Sequence, residues 1–168
     1  DKSVNAATEK LFPVASTPQD SVRLGEAGLI PYIRTIGLYK AKAKHVIETC
    51  RQLIERFGGD VPARFNDLVT LPGVGAKTAN VVLNVAFHQP TIAVDTHIFR
   101  VANRTGLAPA KTPDAVSEKL LKVTPKEFLL NAHHWLLLHG RYCCTARKPH
   151  CTECPIAAFC EYPDKILD

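Results

Sequence analysis

The chain has 168 residues, 46% of them apolar and 22% charged, which excludes general disorder and leaves room for one domain or two small ones. Lys and Arg outnumber Asp and Glu by 21 to 16, so the formal charge of +5 permits a nucleic-acid partner without requiring one. No apolar run approaches the ~20 residues of a bilayer span and no signal-like segment opens the chain, so a cytoplasmic protein without a membrane partner is expected.

Helical periodicity dominates. Between Lys40 and Phe57, the residues Val46, Ile47, Cys50, Leu53, Ile54 and Phe57 form an apolar stripe, charged and amide side chains fill the other face, and Gly58-Gly59 stops the helix. Cys50 on that stripe reads as a buried small hydrophobe. Asp60-Val61-Pro62 opens a short helix near 63–70. Leu71-Pro72-Gly73-Val74-Gly75 then makes a tight turn, and a helix of small and β-branched residues follows over 76–87, ended by Gln89-Pro90. Asp95 is the expected N-cap of the next helix, with Ile98, Val101 and Ala102 as its buried stripe. Thr112-Pro113-Asp114 starts another, running to about Val123, and Pro125 starts the last, which runs to His139 and is stopped by Gly140. Trp135 within it is assigned to the core. Thr91-Ile92-Ala93-Val94 is too isolated to build a sheet, so the fold class is all-α with short connections.

Leu71–Ala79 carries the first chemistry. Glycines at 73 and 75 allow a sharp turn and close approach by another chain, and the helix start behind them offers backbone N–H groups and a positive dipole end to a phosphate. Helix, Gly-x-Gly hairpin and helix together suit a sequence-independent grip on a nucleic-acid strand, although an ordinary turn between packed helices has the same pattern. The segment is not a P-loop, because the spacing to a Lys-Ser/Thr pair is wrong. Lys77 stands in the first turn, where the dipole opposes a cation and favours the neutral, nucleophilic amine that can form a Schiff base. Asp95 can act as a cap alone, or as a carboxylate that stabilises an oxocarbenium-like centre and moves protons. Gly37–Ala43 is a faint echo of Gly73–Ala79, again a Gly-led turn into an Ala/Lys-rich helix.

Four of the six cysteines lie at Cys144, Cys151, Cys154 and Cys160. Gaps of six, two and five residues suit a [4Fe–4S] cluster better than zinc, which usually takes two short Cys pairs. Cys143 adjoins Cys144, so spacing leaves open which of the two ligates. The gap between Cys144 and Cys151 is basic and offers Arg147 and Lys148 to phosphate. His133, His134 and His139 have no zincin pattern and read as helix-packing residues.

Taken together, the segments Leu71–Asn80, Val94–Arg100 and Gly140-Arg141-Tyr142 with the cysteine array resemble the endonuclease III family of helix-hairpin-helix DNA glycosylases, across essentially the whole chain. The resemblance implies a helical barrel domain over 1–89, with the hairpin at about 64–87, and an iron–sulfur cluster domain over 90–168. It implies an active site in a cleft between the two domains, with Lys77 and Asp95 on opposite walls. The expected activity is base excision repair as a bifunctional glycosylase and abasic-site lyase, acting as a monomer on damaged double-stranded DNA and removing oxidised pyrimidines. Lys77 matches the nucleophile, Asp95 the catalytic aspartate, and Cys144, Cys151, Cys154 and Cys160 the ligands of the [4Fe–4S] cofactor, in preference to Cys143. Leu38 matches a residue inserted into the DNA helix. Gly73, Gly75 and Thr78 fall on the phosphate-binding hairpin. Family members begin well before Asp1, with helices and a gap-filling glutamine that are missing here. That difference, and the absence of Met, make this chain read as truncated, less stable and weaker in DNA binding than a longer one.

Three other readings compete. One is an inactive fragment or non-catalytic DNA-binding module. A second is a zinc-stabilised interaction domain, which would be colourless where an iron–sulfur protein is brown. The third is an adenine-mismatch relative, which Lys77 disfavours.

Overall fold

The computed structural model describes residues 2–167, and the regular secondary structure among them is entirely helical. The chain divides into two compact units, Asp1–Gly75 and Ala76–Asp168.

The first unit holds α1 (Lys2–Leu11), α2 (Pro18–Ile33), α3 (Tyr39–Phe57) and the single turn α4 (Phe65–Leu68). Sequence periodicity does not reveal α1 or α2. The second of these is broken by a left-handed Gly25 and carries an internal Pro31, so its apolar stripe never repeats cleanly. Its start is legible in hindsight: Thr17 caps the N–H of Asp20 at 3.1 Å, with Pro18 in the first turn. Ala7, Leu29, Ile33, Ala43 and Ile47 from α1, α2 and α3 form the core of this unit. The stop at Gly58-Gly59 is present, with both glycines at positive φ. Val46 is an exception to the predicted stripe of α3 and lies exposed. Cys50 is only partly buried, and desolvation raises its thiol pKa.

The second unit holds α5 (Ala76–Phe87), α6 (Thr96–Thr105), α7 (Pro113–Val123), α8 (Lys126–Tyr142) and a 3-10 turn at Ala157–Phe159. Its core is Ile92, Ile98, Ala102, Ala108, Val116, Leu120 and Ala132. Residues 91–94 are irregular yet carry buried Ile92 and Ala93, as expected of a segment too isolated for a sheet. Asn84, only 3% exposed, tethers this segment. Its amide faces the carbonyl oxygens of Gln89, Thr91 and Leu130 at 3.1–3.3 Å, which joins α5, the 89–91 segment and α8.

Two expectations for α8 are corrected. Gly140 does not stop the helix, which continues to Tyr142. It lies where α8 presses on α6: a Cβ there would come within 2.9 Å of both the His97 Cβ and the His97 carbonyl oxygen, and 3.0 Å of a Val101 methyl. Glycine is needed for close approach, which sequence alone cannot separate from a stop. Trp135 is not core. It is 53% exposed and tilts against Phe128, with ring centroids 6.0 Å apart, beside an open apolar groove that includes Val123, Leu136 and Ile156.

Candidate active site and metal centre

The turn before α5 is built by α3. Thr49 donates its hydroxyl to the Pro72 carbonyl at 2.9 Å, and the His45 ring lies 3.0 Å from where a Cβ on Gly73 would stand. Gly73 adopts φ +74, so glycine is required there both by backbone conformation and by clearance. Gly75 has ordinary φ and open space around its Cβ direction. Its role is to leave the start of α5 bare. Gly75, Ala76, Lys77 and Thr78 are all exposed, and the first N–H groups of a helix have no intrahelical partner. This edge can therefore receive an anion.

Leu38 begins α3 in the left-handed conformation, with φ 59, and its side chain is 80% exposed. The Lys42 ammonium donates to the Gly37 carbonyl and holds that turn. A large apolar side chain raised on a strained backbone has no packing role in the fold.

Lys77, Asp95 and His133 all belong to the second unit. Asp95 is half-buried and caps α6, its Oδ1 accepting from the N–H groups of His97 and Ile98, each at 2.9 Å. Both cap bonds fall on one oxygen, so the cap does not occupy Oδ2. His133, on α8, is 5% exposed, and its Nδ1 has no hydrogen-bond partner. Burial depresses the pKa of its imidazole most. The neighbouring His134 and the Lys77 charge act the same way, while Asp95 and a backbone hydrogen bond with Ala93 oppose them. The amine of Lys77 and the carboxylate of Asp95 thus both act on one buried ring. His133 is a member of this constellation that the sequence reading assigns to helix packing. Its only signal is a histidine on a face otherwise filled by Ala132 and Leu136.

The cysteines form a second centre. Cys143, Cys144, Cys151, Cys154 and Cys160 all line one cavity, with His139 and Arg104. Arg100 and Arg104, one turn apart on α6, clamp its first limb. Arg100 donates to the carbonyls of Cys144 at 2.9 Å and Gly140 at 2.7 Å. Arg104 donates to those of Thr145 at 2.7 Å and Ala146 at 2.9 Å, and lies 3.6 Å from the Cys144 sulfur. Burial would weaken the Arg104 charge, but the Cys144 sulfur and Tyr162, whose ring it covers at 4.5 Å, hold its pKa above the ordinary value. A fixed cation of this kind suits a centre built from thiolates. Desolvation, then hydrogen bonding and charge from Cys154, push the Cys143 thiol up to about 11. Burial lowers the pKa of the His139 imidazole, whose Nε2 lies 3.8 Å from the Cys154 sulfur. His139 is therefore at the metal centre rather than a packing residue only. The Thr145 hydroxyl closes the following loop on the Lys148 carbonyl at 2.5 Å, and Arg147 and Lys148 stand exposed on it.

Residues 1–126 match the family described as HhH-GPD superfamily base excision DNA repair protein, and residues 144–160 match the iron-sulfur binding domain of endonuclease III. The chain is 61% identical to endonuclease III of Haemophilus influenzae over 166 residues, which is 99% of this chain and 79% of that one. It is 60% identical to the Escherichia coli K12 protein of that name over the same shares. Among solved structures, a trapped endonuclease III–DNA covalent intermediate superposes with a TM-score of 0.89 at 42% identity, covering 95% of this chain and 76% of that one. A thermostable thymine-DNA glycosylase reaches 0.86 at 26% identity over the same shares.

Proposed function

The chain belongs to the HhH-GPD superfamily of base excision DNA repair proteins, in its endonuclease III branch, and from that premise we propose how its residues divide the work of a bifunctional DNA glycosylase and abasic-site lyase. The substrate is damaged duplex DNA carrying oxidised pyrimidines, bound by a monomer at the bacterial nucleoid. The damaged nucleotide is flipped out of the stack so that a side chain can reach its sugar. Leu38 enters the helix beside the flipped site. The N–H groups behind Gly73 and Gly75, with Thr78, hold the strand by its phosphates.

The Lys77 amine attacks C1′. The new carbon–nitrogen bond forms as the bond to the base breaks, and the base departs with that electron pair. Asp95 stabilises the positive charge on the sugar and accepts protons from the amine. The sugar ring then opens, the C1′–O4′ bond breaking as O4′ takes a proton, and gives the Schiff base; this acidifies C2′, whose proton is lost as the C3′–oxygen bond breaks, so β-elimination releases the 3′ phosphate and nicks the strand. The observation that carries this assignment is the Asp95 cap: both cap bonds fall on Oδ1 and leave Oδ2 clear of it, while Lys77 lies exposed at the bare start of α5.

The chain carries a [4Fe–4S] cluster. Cys144, Cys151, Cys154 and Cys160 are its proposed ligands, on the strength of a shared cavity and the Arg104 cation beside Cys144. The cluster supplies a rigid covalent pin for a loop that presents Arg147 and Lys148 to phosphate.

Borohydride trapping tests the nucleophile. The wild-type chain is expected to be captured covalently on duplex DNA with an oxidised pyrimidine, and Lys77→Gln to lose the captured band while still binding. Undiminished trapping by Lys77→Gln overturns the assignment. Binding without base release by the wild-type chain would instead favour a non-catalytic module.

A further inference from the structure

The metal cavity holds one sulfur more than a four-thiolate cluster uses. Cys143 lines it beside Cys144, yet lies outside the stretch that matches the iron-sulfur domain, which begins at Cys144. The Cys143 and Cys154 sulfurs and a ring nitrogen of His139 all lie within 4.8 Å of one another. The backbone explains how three residues so far apart in the chain converge. The N–H groups of Cys143 and Cys144 both bond the His139 carbonyl, at 2.9 and 2.8 Å, and fold the chain back over the end of α8. The His150 N–H then bonds the Cys143 carbonyl at 3.0 Å and brings the second limb of the loop alongside.

This spacing suits a single ion. Zinc binds thiolate sulfur at about 2.3 Å and imidazole nitrogen at about 2.0 Å, so donors around one tetrahedral ion stand roughly 3.5–4 Å apart. The trio needs only small side-chain adjustments to reach that. A cluster, by contrast, distributes its four thiolates over separate irons and spreads them further. Two sulfurs and one imidazole are also a borderline-soft donor set that favours zinc over magnesium or calcium.

We propose that His139, Cys143 and Cys154 form a mononuclear zinc-class site, with three protein donors and one open coordination position, which takes a divalent metal in chains that lack the cluster. On binding, two thiols release their protons to solvent and the two thiolates balance the dipositive ion. Cys154 is shared with the proposed cluster ligands, so the two occupancies exclude each other, and zinc competes with cluster assembly.

The test uses the full chain, expressed in iron-limited medium with added zinc, followed by metal analysis of the purified protein. Wild type and Cys144→Ser are expected to carry about one zinc per chain. Cys143→Ser and His139→Ala are expected to carry about tenfold less, as for loss of a ligand. In iron-replete medium Cys143→Ser keeps wild-type iron and acid-labile sulfide, whereas Cys144→Ser loses them. Cobalt in place of zinc reads the donor set directly, with two-thiolate charge-transfer intensity per bound cobalt in wild type and half of that per bound cobalt in Cys143→Ser. Should Cys143→Ser fail to accumulate, Cys143→Thr serves in its place, with helical circular dichroism as the folding control. Zinc content that is negligible in wild type, or unchanged in Cys143→Ser and His139→Ala, overturns the site, as does a four-thiolate cobalt spectrum.

Discussion

Leu38 separates stability from function at a single residue. Its left-handed backbone costs a non-glycine residue about 1 kcal/mol, and its exposed side chain returns no packing energy to the fold. Leu38→Gly is therefore expected to leave the melting temperature unchanged or raised, and to weaken binding of damaged duplex. A loss of stability with full affinity would place the side chain in the fold instead. Asp95 allows a similar separation. Asn caps as well as Asp, whereas Ala forfeits about 1 kcal/mol. Asp95→Asn should keep wild-type stability and lose most base excision, while Asp95→Ala should lose both. Equal excision by Asp95→Asn and wild type would reduce the residue to a cap. Lys77, Asp95 and the four spaced cysteines can be proposed from sequence because the chemistry proposed for them needs those residue types at those positions. His133 and Cys143 are not, because their significance lies in neighbours that only folding brings near: the Lys77 and Asp95 charges for one, and His139 with Cys154 for the other.

At the scale of the element, α8 carries a pH dependence. Burial holds the His133 imidazole below its ordinary pKa, with His134 and Lys77 adding to the depression and Asp95 opposing it. The unfolded chain therefore takes up the proton first as pH falls, and the folded state loses stability from about pH 6.5 downward. His139, two turns along, contributes in the same sense. Replacing His133 by Asn should flatten the fall of melting temperature between about pH 7 and 5, leaving the His139 part. An unchanged slope would show that His133 does not titrate with unfolding. The helices themselves were legible in proportion to their punctuation. α3, α6 and α7 have clean caps or stops in Gly58, Asp95 and Thr112. The break at Gly25 conceals α2, and the exposed apolar face near Trp135 makes α8 look more buried than it is. The paired arginines of α6 are visible as an i, i+4 pair, but nothing local says that they hold carbonyls some 40 residues away.

For the whole molecule, the charge of +5 is too small to identify a partner, and its placement matters more than its size. Arg147 and Lys148 stand exposed on a loop closed by Thr145 and anchored by Arg104. Replacing both by Ala should weaken binding to all duplexes alike and reduce the slope of log affinity against log salt by about 2. An unchanged slope would put that surface off the DNA. No helix among the described residues is long and apolar enough to cross a membrane.

The clearance at Gly140 ties the surroundings of Asp95 to those of the cysteine loop in the second unit. Any side chain there would press on His97, two positions beyond Asp95, and on Val101, while the Gly140 carbonyl accepts from Arg100, which also holds the Cys144 carbonyl. A methyl at position 140 can be admitted only by sliding α6, and that one movement carries the carboxylate and the cysteine loop together. Gly140→Ala is accordingly expected to lower iron content and single-turnover base excision in parallel, and iron loss with full excision would uncouple them. The gap works as a gauge block: on the roles proposed for Asp95 and Cys144, metal loading and sugar chemistry are set against the same helix separation, so selection on either one constrains the other.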